Sequence, residues 1–255
     1  MSVTHSDTAI PREIVQRLRQ AQRVVVLTGA GISAESGVPT FRDAQTGLWA
    51  SYDPHELATP KAFMQNPKLV WDWYAWRRSL VAEVTPNAGH YALAAIEQRV
   101  PHFTLITQNV DGLHEKAGSH AIVELHGNIF RVKCFTEDKQ VAHWDDSDEK
   151  SPPRCQNCGG YLRPDVVWFG ETLPVDALAR AVKASQSADF FLVVGTSAMV
   201  QPAASLPFEA IETGAMVVEV NPERTPLSSY MAHTLRGAAG IILPALVGAT
   251  WNDQA

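Results

Sequence analysis

The stretch Val24-Val25-Val26-Leu27 runs without a break into Thr28-Gly29-Ala30-Gly31-Ile32-Ser33-Ala34. A continuous apolar, β-branched run needs cover on both faces, which a strand finds inside a parallel sheet. The glycines that follow allow a tight turn and a close backbone approach to a diphosphate, in the Gly-x-Gly-x-x-Ala pattern of a dinucleotide-binding turn. Four more runs share the character of the first: Phe103–Ile106, Ile122–Leu125, Phe190–Val194 and Met216–Val220. Helical spacing separates them, over Ile10–Gln20, Asn87–Arg99, Asp176–Ser187 and Pro202–Thr213. Strand–helix alternation of this kind predicts an α/β fold with a Rossmann-like, doubly wound parallel sheet.

Two stretches interrupt the alternation. Residues 43–86 gather Trp49, Trp71, Trp73 and Trp76 with Tyr52 and Tyr74, too long a segment for a loop, and predict a helical insertion. Residues 127–171 hold all three cysteines and the acidic run Asp145–Glu149, and predict a small second module. The Rossmann-like domain is then built from residues 1–42, 87–126 and 172–255. An ordinary dehydrogenase carries an acidic residue at the end of a second strand, about 20 positions past the glycines. Here that region is Trp49–Pro54, inside the insertion, so a dinucleotide would be held in another way.

Composition narrows the functional classes. With 21 basic and 27 acidic side chains the net charge is −6, which gives no footing for nucleic-acid or membrane-surface binding. No apolar run approaches the roughly 18–20 residues of a spanning helix. The polar start, Met1–Asp7, lacks the order of a signal peptide, and the expected compartment is the cytoplasm. No heptad seam demands an oligomer, so a monomer is expected. Three cysteines cannot make a disulfide framework and leave metal binding, redox chemistry or burial.

Polar clusters stand at the carboxyl ends of the expected strands, the rim where ligands bind in such sheets. They are Gly29–Arg42, Thr107-Gln108-Asn109-Val110-Asp111-Gly112-Leu113-His114, Glu124-Leu125-His126-Gly127, Gly195-Thr196-Ser197 and Val220-Asn221-Pro222-Glu223. With these motifs the chain resembles the sirtuins, NAD-dependent protein-lysine deacylases, from about Val24 to Pro244. The resemblance implies a cleft that holds NAD and an acyl-lysine peptide. It implies a diphosphate cradle at Gly29, Ala30 and Gly31 with Ile32, Ala34 and Glu35, and a cofactor loop with Pro39, Phe41 and Arg42. Gln108, Asn109 and Asp111 match residues around the nicotinamide ribose. Gly195, Thr196, Ser197, Asn221, Pro222 and Glu223 match the adenosine side, and Ala239 a late backbone contact there. His126 matches the general base, with Asn109 and Asp111 as its catalytic companions. In that chemistry the acyl oxygen attacks the ribose carbon as nicotinamide leaves, and a ribose hydroxyl must then lose a proton. Histidine, with an ordinary pKa of about 6.5, suits the task. His90, His102 and His143 carry no such motif, and His114 is expected to be structural.

The resemblance extends to the acyl group. Tyr74 and Arg77 lie three apart on one helix face, the pair that reads a distal carboxylate in the desuccinylase and demalonylase branch. Ala58 matches the small residue that widens the pocket there. Val167-Trp168-Phe169-Gly170-Glu171 resembles the segment along which the peptide lies as an added strand. Sirtuins usually hold a structural zinc in two Cys-x-x-Cys pairs, so the resemblance implies that residues 127–171 form a small zinc-ribbon-like module. Here Cys155 and Cys158 form one pair, but Cys134 is followed by Glu137 where its partner should stand. Glu137, Asp138 or His143 can complete a zinc site, or the module folds without metal; a redox pair is a further reading. The leading expectation is removal of succinyl, malonyl and acetyl groups. NAD-dependent ADP-ribosyl transfer and a nonenzymatic NAD- and peptide-binding module stay open beside it.

Overall fold

Each expected apolar run becomes a strand of one parallel sheet. A computed structural model describes residues 9–38, 53–144 and 152–251. The described chain runs through α1 (Arg12–Gln20), β1 (Arg23–Thr28), α2 (Gly31–Ala34), α3 (Pro54–Leu57), α4 (Pro60–Gln65), α5 (Pro67–Ala82), α6 (Ala88–Glu97) and β2 (His102–Thr107). It continues through α7 (Leu113–Lys116), β3 (Ile122–Glu124), β4 (Gly127–Cys134), β5 (Gln140–Val141), β6 (Leu162–Val166), α8 (Val175–Ser187) and β7 (Phe190–Val194). The last elements are α9 (Leu206–Glu212), β8 (Met216–Val220), β9 (His233–Leu235) and α10 (Ala239–Trp251).

The large sheet has the order β3-β2-β1-β7-β8-β9, with every neighbouring pair parallel. This is the doubly wound arrangement, and the chain reverses direction across the sheet between β1 and β7. Val24 and Val26 face a core shared with Leu18, Leu93 and Leu246, from α1, α6 and α10. Val25 and Leu27 face the opposite core, with Ala181 of α8 and Leu206 of α9. Two covered faces explain why the run shows no polar alternation.

The helical segment is set by its caps. Thr59 Oγ1 accepts from the Ala62 N–H at 3.1 Å, and Asn66 Oδ1 accepts from the Leu69 N–H at 3.1 Å. Pro60 and Pro67 follow those caps, where the missing N–H costs nothing. A second sheet, β5-β4-β6, is antiparallel. Phe63, Val70, Trp73 and Tyr74 from the helices share one core with Ile129, Val166 and Trp168 from and beside the small sheet.

Several elements depart from the sequence reading. The helix expected over Pro202–Thr213 divides into a 3-10 turn at Ala203–Ser205 and α9. Neither β9, three residues long, nor α10, which is apolar on all sides and carries Pro244 inside it, was legible in the sequence. Trp49, Tyr52 and the acidic run lie outside the described residues. No described helix is long and apolar enough to cross a membrane.

Candidate active site

The switch point between β1 and β7 is packed backbone to backbone. Gly29 N–H donates to the Val194 carbonyl at 3.0 Å, and Gly31 N–H to the Gly195 carbonyl at 2.7 Å. A Cβ on Gly29 would stand 2.7 Å from Thr196 Cβ, and one on Gly31 2.7 Å from the Gly195 oxygen. Gly195 has φ +58°, and a Cβ there would overlap the Ile32 backbone nitrogen. These glycines let two strand-end loops meet where a dinucleotide crosses such a sheet. The residues around them serve the turn in different ways. Ile32 is fully buried in the core, so its backbone alone reaches the rim, while Ala34 is exposed. Glu35 Oε1 accepts from Gly240 N–H at 2.8 Å and so caps the start of α10. Ala239, the first residue of α10, is buried. Pro39, Phe41 and Arg42 lie outside the described residues.

Beneath the rim runs a buried polar network. Thr28 Oγ1 donates to Thr107 Oγ1 at 2.9 Å and lies 3.0 Å from His114 Nε2. With the threonine proton used, His114 must donate from Nε2, and its Nδ1 is left without a partner. His90 Nδ1 accepts from the Asn87 N–H at 3.3 Å, so its proton sits on Nε2, 3.4 Å from Ser33 Oγ. Ser33 Oγ accepts from Asn109 Nδ2 at 3.1 Å and donates to Asp111 Oδ2 at 2.7 Å. Asn109 Nδ2 also donates to the Gly29 carbonyl at 3.1 Å, tying this network to the glycine turn. Burial raises the Asp111 carboxyl above its ordinary value, against the Leu113 N–H, the Ser33 hydroxyl and Lys116. Burial lowers His90 to about 4 and His114 to about 3, so both rings stay neutral.

His126 stands just past β3, half-buried at the mouth of this network. Its Nδ1 lies 2.9 Å from the Gln108 carbonyl, which can only accept. The proton is therefore on Nδ1, and the Nε2 lone pair is unused by any described residue. Burial lowers the His126 pKa below 6.5, with the Gln108 contact working the other way. The His126 carbonyl accepts from Val167 N–H at 2.9 Å, and the Ala58 carbonyl from Phe169 N–H at 2.9 Å. Residues 167–169 thus bridge the histidine and the helical segment. Trp168 is buried and donates from Nε1 to Tyr74 Oη at 2.9 Å. Glu171 pairs with buried Arg163 and accepts from the Trp168 N–H, fixing the turn around Gly170. Burial pushes the Tyr74 phenol up to about 12, with Arg77 opposing. The Arg77 guanidinium lies 5.2 Å from the Trp73 ring centroid.

On the far side of the rim Gln108 Nε2 donates to Thr196 Oγ1 at 3.0 Å, and Asn221 Nδ2 to the Thr196 carbonyl at 3.0 Å. Ser197 is half-buried beside them, and Pro222 and Glu223 are exposed. In the small module the ligand atoms of Cys134, Glu137, Cys155 and Cys158 all lie within 4.8 Å of one another. Of the candidates for a fourth ligand, Glu137 is in the cluster; Asp138 instead pairs with Lys133 at 2.6 Å, and His143 is exposed. The N–H groups of Cys158 and Asn157 lower the Cys155 pKa, favouring the thiolate a metal needs.

Comparison with known proteins decides the family. The Sir2 family model matches residues 29–202. The chain belongs to the Sir2 family. It is 58% identical over 205 residues to an NAD-dependent protein deacylase of Aquifex aeolicus (strain VF5), covering 80% of this chain and 85% of the relative. It is 50% identical over 251 residues to one from Ralstonia nicotianae (strain ATCC BAA-1114 / GMI1000), covering 97% and 100%. A solved Sir2 homologue–NAD complex matches with a TM-score of 0.90 and 43% identity, over 97% of this chain and 96% of that one. A Sir2 complex with a p53 peptide and NAD+ matches with a TM-score of 0.82 and 31% identity, over 92% and 96%.

Within this Sir2 chain, the sequence reading missed Thr28, Ser33, His90 and Thr107. Ser33 sat inside the glycine motif, and His90 three residues past the helix-capping Asn87. A buried histidine in a capping box was the available signal.

Proposed function

We propose that this Sir2 chain is an NAD-dependent protein-lysine deacylase acting on succinyl and malonyl groups and on acetyl groups as well, releasing nicotinamide and O-acyl-ADP-ribose. The observation that carries the reading is His126: neutral, oriented by the Gln108 carbonyl and with Nε2 unused, one backbone bond from Val167. The donor and acceptor set around it suits a ribose, because Asn109, Asp111 and Ser33 offer both kinds of group in one network. Gly29, Ala30 and Gly31 would meet the diphosphate, and Thr196, Ser197, Asn221 and Glu223 the adenosine half. When bound, NAD supplies an electrophilic ribose carbon and a nicotinamide leaving group. His126 Nε2 takes the proton of a ribose hydroxyl, and Nδ1–H stays on Gln108 to stabilise the resulting cation. Val167–Gly170 lines up the peptide, and Trp168 holds the Tyr74 hydroxyl from behind.

Tyr74 and Arg77 support the acidic acyl groups. A phenol that stays protonated and a guanidinium three residues on are two donor types that suit a carboxylate. Ala58 leaves room for the longer chain. Three thiols and one carboxylate suit tetrahedral zinc, with Cys134, Cys155, Cys158 and Glu137 as its holders and a structural role. Free thiols in that number fit a reducing, cytoplasmic compartment.

The test is to incubate the protein with NAD and a succinyl-lysine or acetyl-lysine peptide and to chromatograph the products. Nicotinamide and O-acyl-ADP-ribose in equal amounts are expected. Absorbance of reduced cofactor, or ADP-ribose attached to protein without loss of acyl groups, would contradict the reading.

A further inference from the structure

One charge pair with a buried carboxylate and a half-buried guanidinium lies outside the site described above. Glu219, on β8, is 1% exposed, yet it carries a carboxylate. Its oxygens accept from Thr225 Oγ1, from Ser228 Oγ at 2.6 Å and from Arg236 Nη2 at 2.9 Å. A buried carboxylate is tolerated when it is paired and its lone pairs are filled in this way.

Arg236 faces two ways. Besides Glu219 it reaches the backbone carbonyls of Asn221, at 3.3 Å, and of Glu223, both through Nη1. Asn221 in turn has its amide engaged with backbone: Nδ2 on the Thr196 carbonyl and Oδ1 on the Glu223 N–H at 3.3 Å. The loop 221–223 is therefore held from below by one guanidinium and from the side by the end of β7. A planar fork can hold carboxylate and carbonyls together; an ammonium cannot.

We infer that Glu219 and Arg236 are positioning residues for the adenosine half of the dinucleotide: the pair fixes the Asn221–Glu223 loop at the height where it meets that ligand. The inference rests on the proposed NAD site. It assigns no contact with ligand to either residue. Cofactor affinity is set through this pair, while proton transfer at His126 and the peptide segment at 167–171 lie on other elements.

The test uses the full chain with Arg236→Lys, Arg236→Met and the double variant Glu219→Met/Arg236→Met. The double variant removes both charges together, so no lone buried carboxylate is left to unfold the protein. KM for NAD and the dissociation constant of ADP-ribose by calorimetry should both rise about tenfold in Arg236→Met and in the double variant. Arg236→Lys should fall between. The turnover number at saturating NAD and the KM for acyl peptide should stay within about twofold of the parent. Unchanged ADP-ribose affinity in a folded double variant overturns the inference. So does a fall in turnover with KM for NAD unchanged. A parent protein that binds neither NAD nor ADP-ribose overturns the NAD reading itself, and the inference with it.

Discussion

As the proposed base, His126 has one nitrogen to act with, and its Gln108 contact decides which. Replacing it with alanine should reduce deacylation by at least a hundredfold while peptide binding persists. A near-normal rate would reject its assignment as base. Only the neutral ring can take a proton, and burial lowers its pKa. The acid limb of kcat/KM against pH should therefore fall below 6.5, with a flat profile at neutrality. A limb centred above 7 would show that another group limits the rate. At Arg77 the expected effect is selective. Arg77→Met should weaken succinyl-peptide use by about 30–150-fold, the loss of one charge-assisted contact of roughly 2–3 kcal/mol, and acetyl-peptide use far less. Equal losses on both peptides would leave Arg77 a packing role.

The elements show how far the sequence carries. The strands of the parallel sheet were legible because burial on both faces leaves an unbroken apolar run, as Phe190–Val194 does. The strand β6 was not, because Arg163, Pro164 and Asp165 fill it with polar and ring-constrained residues. The glycine turn was legible as a motif, but its steric reason was not: Gly29 and Gly31 are closed in by Gly195 and Thr196, some 165 positions on. Gly195→Ala should for that reason cost more than about 2 kcal/mol and weaken NAD binding, since it adds a Cβ at positive φ against the Ile32 backbone. Calorimetric unfolding checks the first part. In the small module sequence left three candidates for the fourth ligand, and only folding brings Glu137 to the thiols. The untagged protein should carry about one equivalent of zinc. Glu137→Ala should lose it to a mild chelator sooner than the parent, and Glu137→Cys later. Protein with under about 0.2 equivalents would mean that the module folds without metal.

Across the whole molecule, the buried histidines link stability to pH. His90 and His114 sit with ring centroids 4.8 Å apart, at about 4 and about 3 against 6.5 in the unfolded chain. Below 6.5 the unfolded chain binds protons that the folded one refuses, so stability is full above that value and falls as pH drops toward 4. Each site can contribute about 1.4 kcal/mol per pH unit in that window. Asp111, raised by burial, works in the opposite sense just above its ordinary value. Urea unfolding at pH 7 and pH 5 should show the loss, and His90→Gln should make the slope shallower. An identical slope would mean that the ring is not held neutral. His90, packed on His114, touches Ser33, which joins Asn109 and Asp111, so the polar network beneath the rim and the stability of the fold are linked. The proposed activity moves an acyl group from lysine to the ribose of NAD. The most direct measurement is mass spectrometry of one lysine peptide, offered in succinyl and acetyl forms, with and without NAD. The prediction is loss of both acyl groups only with NAD, succinyl faster. Loss of neither would contradict the proposed deacylase activity.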